Sequence, residues 1–360
     1  MFRTRRLLTS AFIFAVLLTG VPSCLPAQTN SVLFVADRFE PVKGAISVPS
    51  TPTERSAAFS LLERALQNSD MHMTGTAPFH LDATFNTGGN VNYAGLGQLT
   101  ETWLSGKSWR WTARLGSYSQ IQIGYNGSTF AEKKTPIPLR IQMLRNAIFW
   151  PVRLNSAAEI RTAAVLWNGK PATCLLTSGM MGLATTTQTR LWEETEYCID
   201  NASGLLQVYS IAPGSYAVYE YANAQFHGHI VPDRIMFVIN GATVLDSQIR
   251  ITDAGSVNAS MLTPTQQMIA NGPAITLRAP ERFPIEIPSA SINGKTYPVI
   301  ILASIDVSGN VLEEELASSS DGALVQSALD LVRKTTFPAQ GEQRQAYINV
   351  KFTPVSQGTY

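Results

Sequence analysis

An Asn-Gly dipeptide between two strand-like runs recurs at three places in this 360-residue chain, and this recurrence constrains the fold more than any other feature. The three dipeptides are Asn126-Gly127, Asn168-Gly169 and Asn240-Gly241. Asn-Gly favours the positive φ angles of a type I′ turn, whose twist matches that of a two-stranded hairpin. Apolar and polar residues also alternate over 79–85 and 109–115, which is the period of a half-buried strand. The sequence therefore predicts a long antiparallel sheet built from hairpins.

Two helices interrupt this β pattern. The first begins at Thr51, where Pro52 suits the first helical position and Glu54 completes a capping box. The second begins after Pro138 and ends at Trp150. Helices beside a long antiparallel sheet indicate an α+β fold, in which the helices cover one face of a large curved sheet, an unclosed barrel.

The C-terminal residues form a second pattern, in the order strand, strand, helix, strand. An apolar run over 297–306 meets a turn at Ser308-Gly309 and then resumes. A helix with one apolar stripe follows and ends at Phe337-Pro338, because proline lacks an amide hydrogen and disfavours helix in the residue before it. The last run, 346–352, alternates with period 2. The predicted fold therefore includes a small C-terminal ββαβ domain.

This C-terminal pattern resembles the C-terminal domain of TonB-family energy transducers over residues 290–355. The matching residues are those of 293–295 before the first strand, 306–311 at the hairpin, 318–320 ahead of the helix, 328–334 within it, 337–339 at its end and 350–352 in the last strand. The resemblance covers about a sixth of the chain and contains no catalytic residue.

The resemblance implies that the last strand takes up a short motif of an outer-membrane transporter or another envelope protein by β-strand addition, in energy-coupled transmembrane transport. In this mode the main chain supplies hydrogen bonds and alternate side chains supply specificity. Tyr347, Asn349 and Lys351 point to one side of the strand and would be the partner-binding residues. Alternatively, the strand only closes the module, or its edge is covered by the N-terminal domain or by a second copy in a homodimer.

Residues 51–253 resemble the LolA-like periplasmic lipoprotein carriers, whose fold is an unclosed β-barrel. The matching segments are 97–103, 109–111, 200–204 and 228–235. The resemblance implies a lipid or acyl ligand in this N-terminal domain. Trp103, Trp109, Trp111, Phe149 and Trp150 could line a concavity for such a ligand or pack the core of the sheet, and both interpretations stay open.

Residues 1–27 have the composition of a secretory signal, with a basic start and an apolar stretch over 7–21. Three outcomes stay open: lipidation of Cys24, cleavage before Gln28 to release a soluble protein, and an uncleaved membrane anchor. Each of them puts most of the chain in the periplasm or cell envelope.

Outside the signal segment the chain has two cysteines, Cys174 and Cys198, and both lie in strand-like stretches. An exported protein meets an oxidising environment, so a cross-strand disulfide is predicted. The alternative is a reactive or metal-binding thiol pair, which lacks the close spacing of such sites.

The domain organisation follows from these patterns. We expect a signal over 1–27, a tether over 28–50, a β-rich lipid-carrier-like domain over 51–253, a proline-containing linker over 254–290 and a TonB-like domain over 291–357. The linker is inferred from five prolines, Pro264, Pro273, Pro280, Pro284 and Pro288, with Ser, Asn and Gly between them.

Composition and motifs narrow the function. The formal net charge is +1 and charged residues make up 15% of the chain, so no basic field favours nucleic acid. No hydrolase elbow, zinc-protease helix or phosphate loop occurs, so we expect no enzyme and no cofactor. His227 and His229 are a candidate metal pair that would need a third ligand. The main hypothesis is a TonB-type envelope protein, and the alternative is a periplasmic lipid or lipoprotein carrier with a C-terminal docking module.

Overall fold

The computed structural model describes residues 39–41, 46–72, 76–152, 159–179, 189–222, 225–289 and 294–354. Cys24 and the signal segment lie outside these residues. Within the described ranges the α-helices are α1 (Pro52–Ser69), α2 (Leu139–Phe149), α3 (Gln266–Asn271) and α4 (Val325–Lys334), with 3₁₀ turns at Ala259–Leu262 and Gly322–Leu324. None of these helices has the length and apolar content needed to span a membrane.

Nineteen strands accompany the helices in the described part of the chain. They are β1 (Phe39–Pro41), β2 (Phe79–Thr87), β3 (Gly95–Ser105), β4 (Ser108–Leu115), β5 (Tyr118–Tyr125), β6 (Ser128–Ala131), β7 (Glu159–Trp167), β8 (Lys170–Ser178), β9 (Thr195–Asp200), β10 (Leu206–Ala212), β11 (Ser215–Glu220), β12 (Gln225–Phe226), β13 (His229–Ile230), β14 (Arg234–Ile239), β15 (Ala242–Asp253), β16 (Leu277–Ser289), β17 (Tyr297–Ile305), β18 (Val311–Ser319) and β19 (Gln343–Pro354).

The predicted antiparallel sheet is confirmed. Thirteen strands form it in the order β1-β7-β8-β9-β10-β11-β14-β15-β2-β3-β4-β5-β6, and its two ends do not pair with each other, so the sheet is unclosed. The three Asn-Gly turns join β5 to β6, β7 to β8 and β14 to β15. At all three turns both residues have positive φ, for example 53° at Asn126 and 82° at Gly127.

Helix α1 begins with the predicted capping box. The Thr51 hydroxyl accepts a hydrogen bond from the Glu54 amide at 3.2 Å, and the Glu54 carboxylate accepts one from the Thr51 amide at 3.0 Å. The helix buries Ala58, Leu62 and Ala65 against the large sheet. These local signals fix where the helix starts and which face it buries.

The structure joins Cys174 of β8 to Cys198 of β9 in a disulfide between directly opposite residues. Both side chains are fully buried. With a sequence separation of 24 between the two cysteines, the chain-entropy model gives about 3.5 kcal/mol of stabilisation through the unfolded state. Glu196 lies close to both sulfurs, but sulfur atoms joined in a disulfide do not offer thiolate ligands to a metal.

Strand addition to the last strand would require one free flank, and the structure leaves β19 none. β19 lies inside a four-stranded sheet of order β16-β19-β17-β18, parallel to β16 and antiparallel to β17. Tyr347, Asn349 and Lys351 therefore have a neighbouring strand on each side; Tyr347 and Asn349 are also buried, and Lys351 is half-buried. A strand that is hydrogen-bonded along both flanks cannot accept a guest chain, so the structural basis for β-strand addition here is lost.

The second flank of β19 is occupied by residues that were predicted as linker. β16 pairs with β19 without a break from Glu281 to Ser289. Of its three prolines, Pro284 and Pro288 are four residues apart in the regular part of this ladder and so share one flank of the strand, and Pro280 lies at the register shift between Arg278 and Glu281. Proline is tolerated on an edge strand where its missing amide faces away from the ladder. The prolines that suggested a linker therefore mark the outer edge of the C-terminal sheet.

The C-terminal sheet is covered on both faces. One face packs Ile301, Ile348 and Val350 against Ala328 and Val332 of α4. The opposite face contributes other residues to the core of the large sheet, namely Ile300, Leu302, Ala317 and Tyr347. The two sheets therefore share one apolar core.

Helix α2 lies at this junction, and all eleven of its residues are buried. Three of its polar side chains bond to the C-terminal sheet. Arg140 donates to both oxygens of Glu315 at 2.5 and 2.8 Å, Gln142 donates to the Ser304 hydroxyl at 2.7 Å, and Asn146 donates to Gln345 at 2.6 Å. A buried polar group costs free energy unless it is paired, so these bonds fix how the sheet lies on the helix.

We expect Arg140→Met to destabilise the protein by about 3–5 kcal/mol, because it leaves the buried Glu315 carboxylate without its partner. Urea unfolding at pH 7 measures this loss. The control is Arg333→Met, which breaks the pair between the exposed Arg333 of α4 and Glu314 of the same sheet and should leave the unfolding midpoint unchanged. Equal losses in the two variants would contradict a special role for the pair at the sheet junction.

Glu313 gives a pH-dependent prediction. Burial raises its pKa to about 7, and the neighbouring Glu315 and Glu314 add to this against the charge of Arg140. The unfolded carboxyl has a pKa near 4.5, so the folded state holds a proton that the unfolded state releases, and stability falls as pH rises from about 4.5 to 7.

Glu313→Gln stays neutral and should be more stable than the parent at pH 8, by roughly 3 kcal/mol at most. Part of the decrease in stability with rising pH remains in this variant, because burial also raises the pKa of Glu196 to about 7. Measurements from pH 4 to 8 give the slope of the unfolding free energy against pH. Glu314→Gln, on the other face of β18, is the matched control, and an unchanged slope in Glu313→Gln would refute the assignment.

Candidate ligand-binding site

A cavity of about 270 Å³ lies between strands β3 to β6, helix α2 and the start of β16. Its walls are mainly aromatic, and we call it the aromatic pocket after four tryptophans: Trp103, Trp109, Trp111 and Trp150. Ile137 and Leu277 add apolar surface. Ligand sites are typically concave and mostly apolar with a few polar groups, and their volumes run from about 300 to 1,000 Å³, so this cavity suits a small ligand or one part of a larger one.

The hairpin of β3 and β4 places three of the four rings. Trp103 and Trp109 are directly opposite each other, and Trp111 follows Trp109 by two residues on the same face of β4. The ring of Trp109 lies over β5 at Gly124, where a Cβ atom would be 2.1 Å from the Trp109 Nε1. Glycine at this position therefore lets the tryptophan lie flat on the sheet.

The sequence did not decide whether the five aromatic residues line a cavity or pack in the core, and the structure assigns each of them. Trp103 and Trp111 are buried core residues that also line the pocket. Trp109 and Trp150 are partly buried and line it as well. Phe149 is fully buried behind them.

Three polar side chains form the floor of the aromatic pocket. Glu101 of β3 is 1% exposed and binds His72 Nε2 through Oε1 at 2.9 Å and Arg145 Nη2 through Oε2 at 3.2 Å. The guanidinium of Arg145 lies 5.1 to 6.0 Å from the ring centroids of Trp109, Trp111, Phe149 and Trp150. The His72 ring stacks on Phe149 at 4.4 Å.

These contacts keep the Glu101 carboxylate ionised. Burial alone would raise the pKa of Glu101, but the charge of Arg145 and the hydrogen bond from His72 outweigh it and hold the pKa below its ordinary value. Arg145 makes its one side-chain hydrogen bond to Glu101, and its Nε is buried without a partner in the described part of the chain. The floor thus combines a compensated ion pair with aromatic walls, an arrangement that suits an amphiphile.

Sequence reasoning missed Glu101, Arg145 and His72. One signal was readable: Glu101 stands between Leu99 and Trp103 on the inward face of an alternating strand, where a charge is unusual. Its partners come from a loop and from α2, and nothing in the spacing of the sequence connects them.

The remaining predicted site residues lie elsewhere. The Tyr347 hydroxyl is 3.2 Å from the Ser215 hydroxyl at the junction of the sheets, away from the aromatic pocket. His227 lies in the turn between β12 and β13, where its Nε2 faces Asp253 at 2.5 Å, and His229 begins the next strand. The two histidines therefore do not lie side by side on one strand.

The Glu101–Arg145 pair gives a double-mutant prediction. Arg145→Met keeps the apolar contact with the tryptophans but strips the buried carboxylate of its charged partner, so we expect a loss of about 3–5 kcal/mol at pH 7. Adding Glu101→Gln removes the stranded charge and should recover a large part of that loss. Urea unfolding of both variants measures this, and a double variant less stable than Arg145→Met would contradict the assigned pairing.

Comparison with known proteins returns no matching family model and no matching curated relative. Solved structures with some likeness include a LolA superfamily protein from Nitrosomonas europaea, with a TM-score of 0.36 and 12% identity over 57% of this chain and 97% of that chain. An outer membrane lipoprotein-sorting protein domain from Vibrio parahaemolyticus has a TM-score of 0.33 and 8% identity over 57% and 97%. MucB has a TM-score of 0.26 and 14% identity over 59% and 64%.

These scores are low, so the fold of this chain is defined by its own strand order. Neither the family models nor the curated proteins connect the chain to the TonB family.

Proposed function

We propose that this chain is an exported binding protein that carries a lipid or a lipoprotein, with an acyl chain held in the aromatic pocket. The composition of that pocket supports this most directly. Four of the six tryptophans of the chain line it, together with Ile137 and Leu277. Burying an acyl chain against such walls contributes about 0.8 kcal/mol per methylene group.

The polar floor suits the other end of an amphiphile. Glu101 and Arg145 are already paired, so an uncharged chain can lie above them without meeting an isolated charge. The Arg145 guanidinium carries further N–H donors at the lining of the pocket for an ester, amide or carboxylate oxygen. The proposal assigns binding and release to the pocket and includes no catalytic step.

Export and the C-terminal sheet complete the proposal. The signal-like start of the chain and the disulfide between β8 and β9 both suit the periplasm or cell envelope. β16 contributes Leu277 to the wall of the aromatic pocket, so the C-terminal sheet acts as part of the carrier body.

Gly106 offers a direct test. It lines the aromatic pocket, and a Cβ atom added there meets no heavy atom within 4 Å. Gly106→Leu should therefore fold normally and fill the pocket mouth. We expect the full chain to bind lysophosphatidylcholine below its micellar concentration with a saturable change in tryptophan fluorescence, and Gly106→Leu to bind at least tenfold more weakly.

Gly322→Leu is the matched control. Gly322 is exposed, has equally open space around it and lies outside the aromatic pocket, so this variant should bind like the parent. Native mass spectrometry of the purified full chain reports whether an acyl ligand is already bound. A parent protein that shows no saturable binding, or a Gly106→Leu variant that binds as well as the parent, would refute the proposal.

A further inference from the structure

A second cavity, of about 100 Å³, lies between strands β8, β9 and β10 of the large sheet and strand β16. Six of its nine lining residues have polar side chains: Thr177, Ser178, Thr195, Tyr197, Tyr209 and Arg282. All six carry a hydroxyl or a guanidinium, and the lining includes no carboxylate. The cavity is therefore lined by hydroxyl groups and one positive charge.

Arg282 reaches this cavity from β16. It donates from Nη2 to the Thr195 hydroxyl at 2.7 Å and to the Ile211 carbonyl at 2.5 Å, both uncharged acceptors. Its Nε is buried with no hydrogen-bond partner within the described ranges. No carboxylate of those ranges forms an ion pair with it.

The other arginines show how unusual this is. Arg282 is partly buried, whereas five other arginines in the described part of the chain are buried, and each of those five pairs with a carboxylate at 2.5 to 3.2 Å. They are Arg140, Arg145, Arg161, Arg190 and Arg344. This chain thus gives its inward-facing guanidinium groups an anionic partner as a rule, and Arg282 is the exception.

No carboxylate of the described residues pairs with the charge of Arg282. Burial and the like charge of Arg190 lower the pKa of Arg282 to about 10, which still leaves the group protonated at neutral pH. Arg190 itself pairs with Glu196 and lies near Glu194, so its own charge is offset within the fold. A dissolved anion in the cavity would do the same for Arg282.

We propose that this cavity binds a small oxyanion of the phosphate type, with Arg282 as its charged ligand and the hydroxyl groups of the wall as further contacts. Guanidinium binds phosphate oxygens through paired donors, and a volume of about 100 Å³ has room for several water molecules or one such group. The phosphate is either free or the end of a phosphate monoester. This site shares no lining residue with the aromatic pocket, so it stands independently of the acyl-chain proposal.

The test compares thermal unfolding of the full chain in sodium phosphate and in sodium chloride of equal ionic strength, at pH 7.5. We expect phosphate to raise the midpoint saturably, because a ligand that binds the folded state stabilises it by mass action. Arg282→Gln should weaken the apparent phosphate affinity at least tenfold. Arg278→Gln removes the same charge from the same strand, at an exposed residue paired with Glu281, and should keep the parent affinity.

Thr195→Asp is a second test of phosphate binding at Arg282, to be used if Arg282→Gln fails to fold. It places a carboxylate beside Arg282, which should satisfy the guanidinium and abolish the phosphate effect while the protein stays folded. Vesicles of phosphatidylcholine with and without phosphatidic acid distinguish the sources: binding to phosphatidic acid assigns a lipid monoester, and a response to inorganic phosphate alone assigns the free ion. A midpoint shift that chloride reproduces, or one that persists in Thr195→Asp, would overturn the proposal.

Discussion

Helix α2 is buried on every side, and the rest of the architecture depends on how its polar residues are satisfied. Arg140, Gln142 and Asn146 lie in the middle of the molecule, where unpaired they would cost several kcal/mol. Each of them has a partner in the C-terminal sheet, although Arg140 also donates to the Gly88 carbonyl and Gln142 to the Ile137 carbonyl. Burial of the helix with these groups satisfied therefore requires that sheet to lie on it. Residues 297–354 therefore complete the core, although their local sequence pattern is that of a separate small domain.

One strand connects the features that bear on function. β16 starts at the aromatic pocket with Leu277, passes the second cavity with Pro280 and Arg282, and runs parallel to β19 to its end. It is also the outer edge of its sheet, with prolines that deny its outer flank the hydrogen bonds of a further strand. Both cavities lie where this strand meets the large sheet, so its placement shapes both of them.

The sequence predicted the parts of the fold that local interactions decide. Asn126-Gly127 and the two later turns define hairpins within a few residues, and Thr51 with Glu54 defines a helix start within one turn. The pairing of β16 with β19 joins segments more than sixty residues apart, and a parallel pair has no tight turn to fix its register. Its prolines pointed to a linker. The polar floor of the pocket was missed for the same reason, because Glu101 and Arg145 meet only in the folded chain.

Use of β19 as a docking strand would require the displacement of β16. A guest peptide would have to replace the hydrogen bonds of that ladder and cover the apolar side chains that β16 packs beside it, Phe283, Ile285 and Ile287. Each such side chain contributes about 1.5–3 kcal/mol when fully buried. Removing β16 would also take Leu277 from the aromatic pocket and Arg282 from the second cavity. The same strand cannot form the binding sites and make way for a partner, and this competition favours a carrier over a coupling protein.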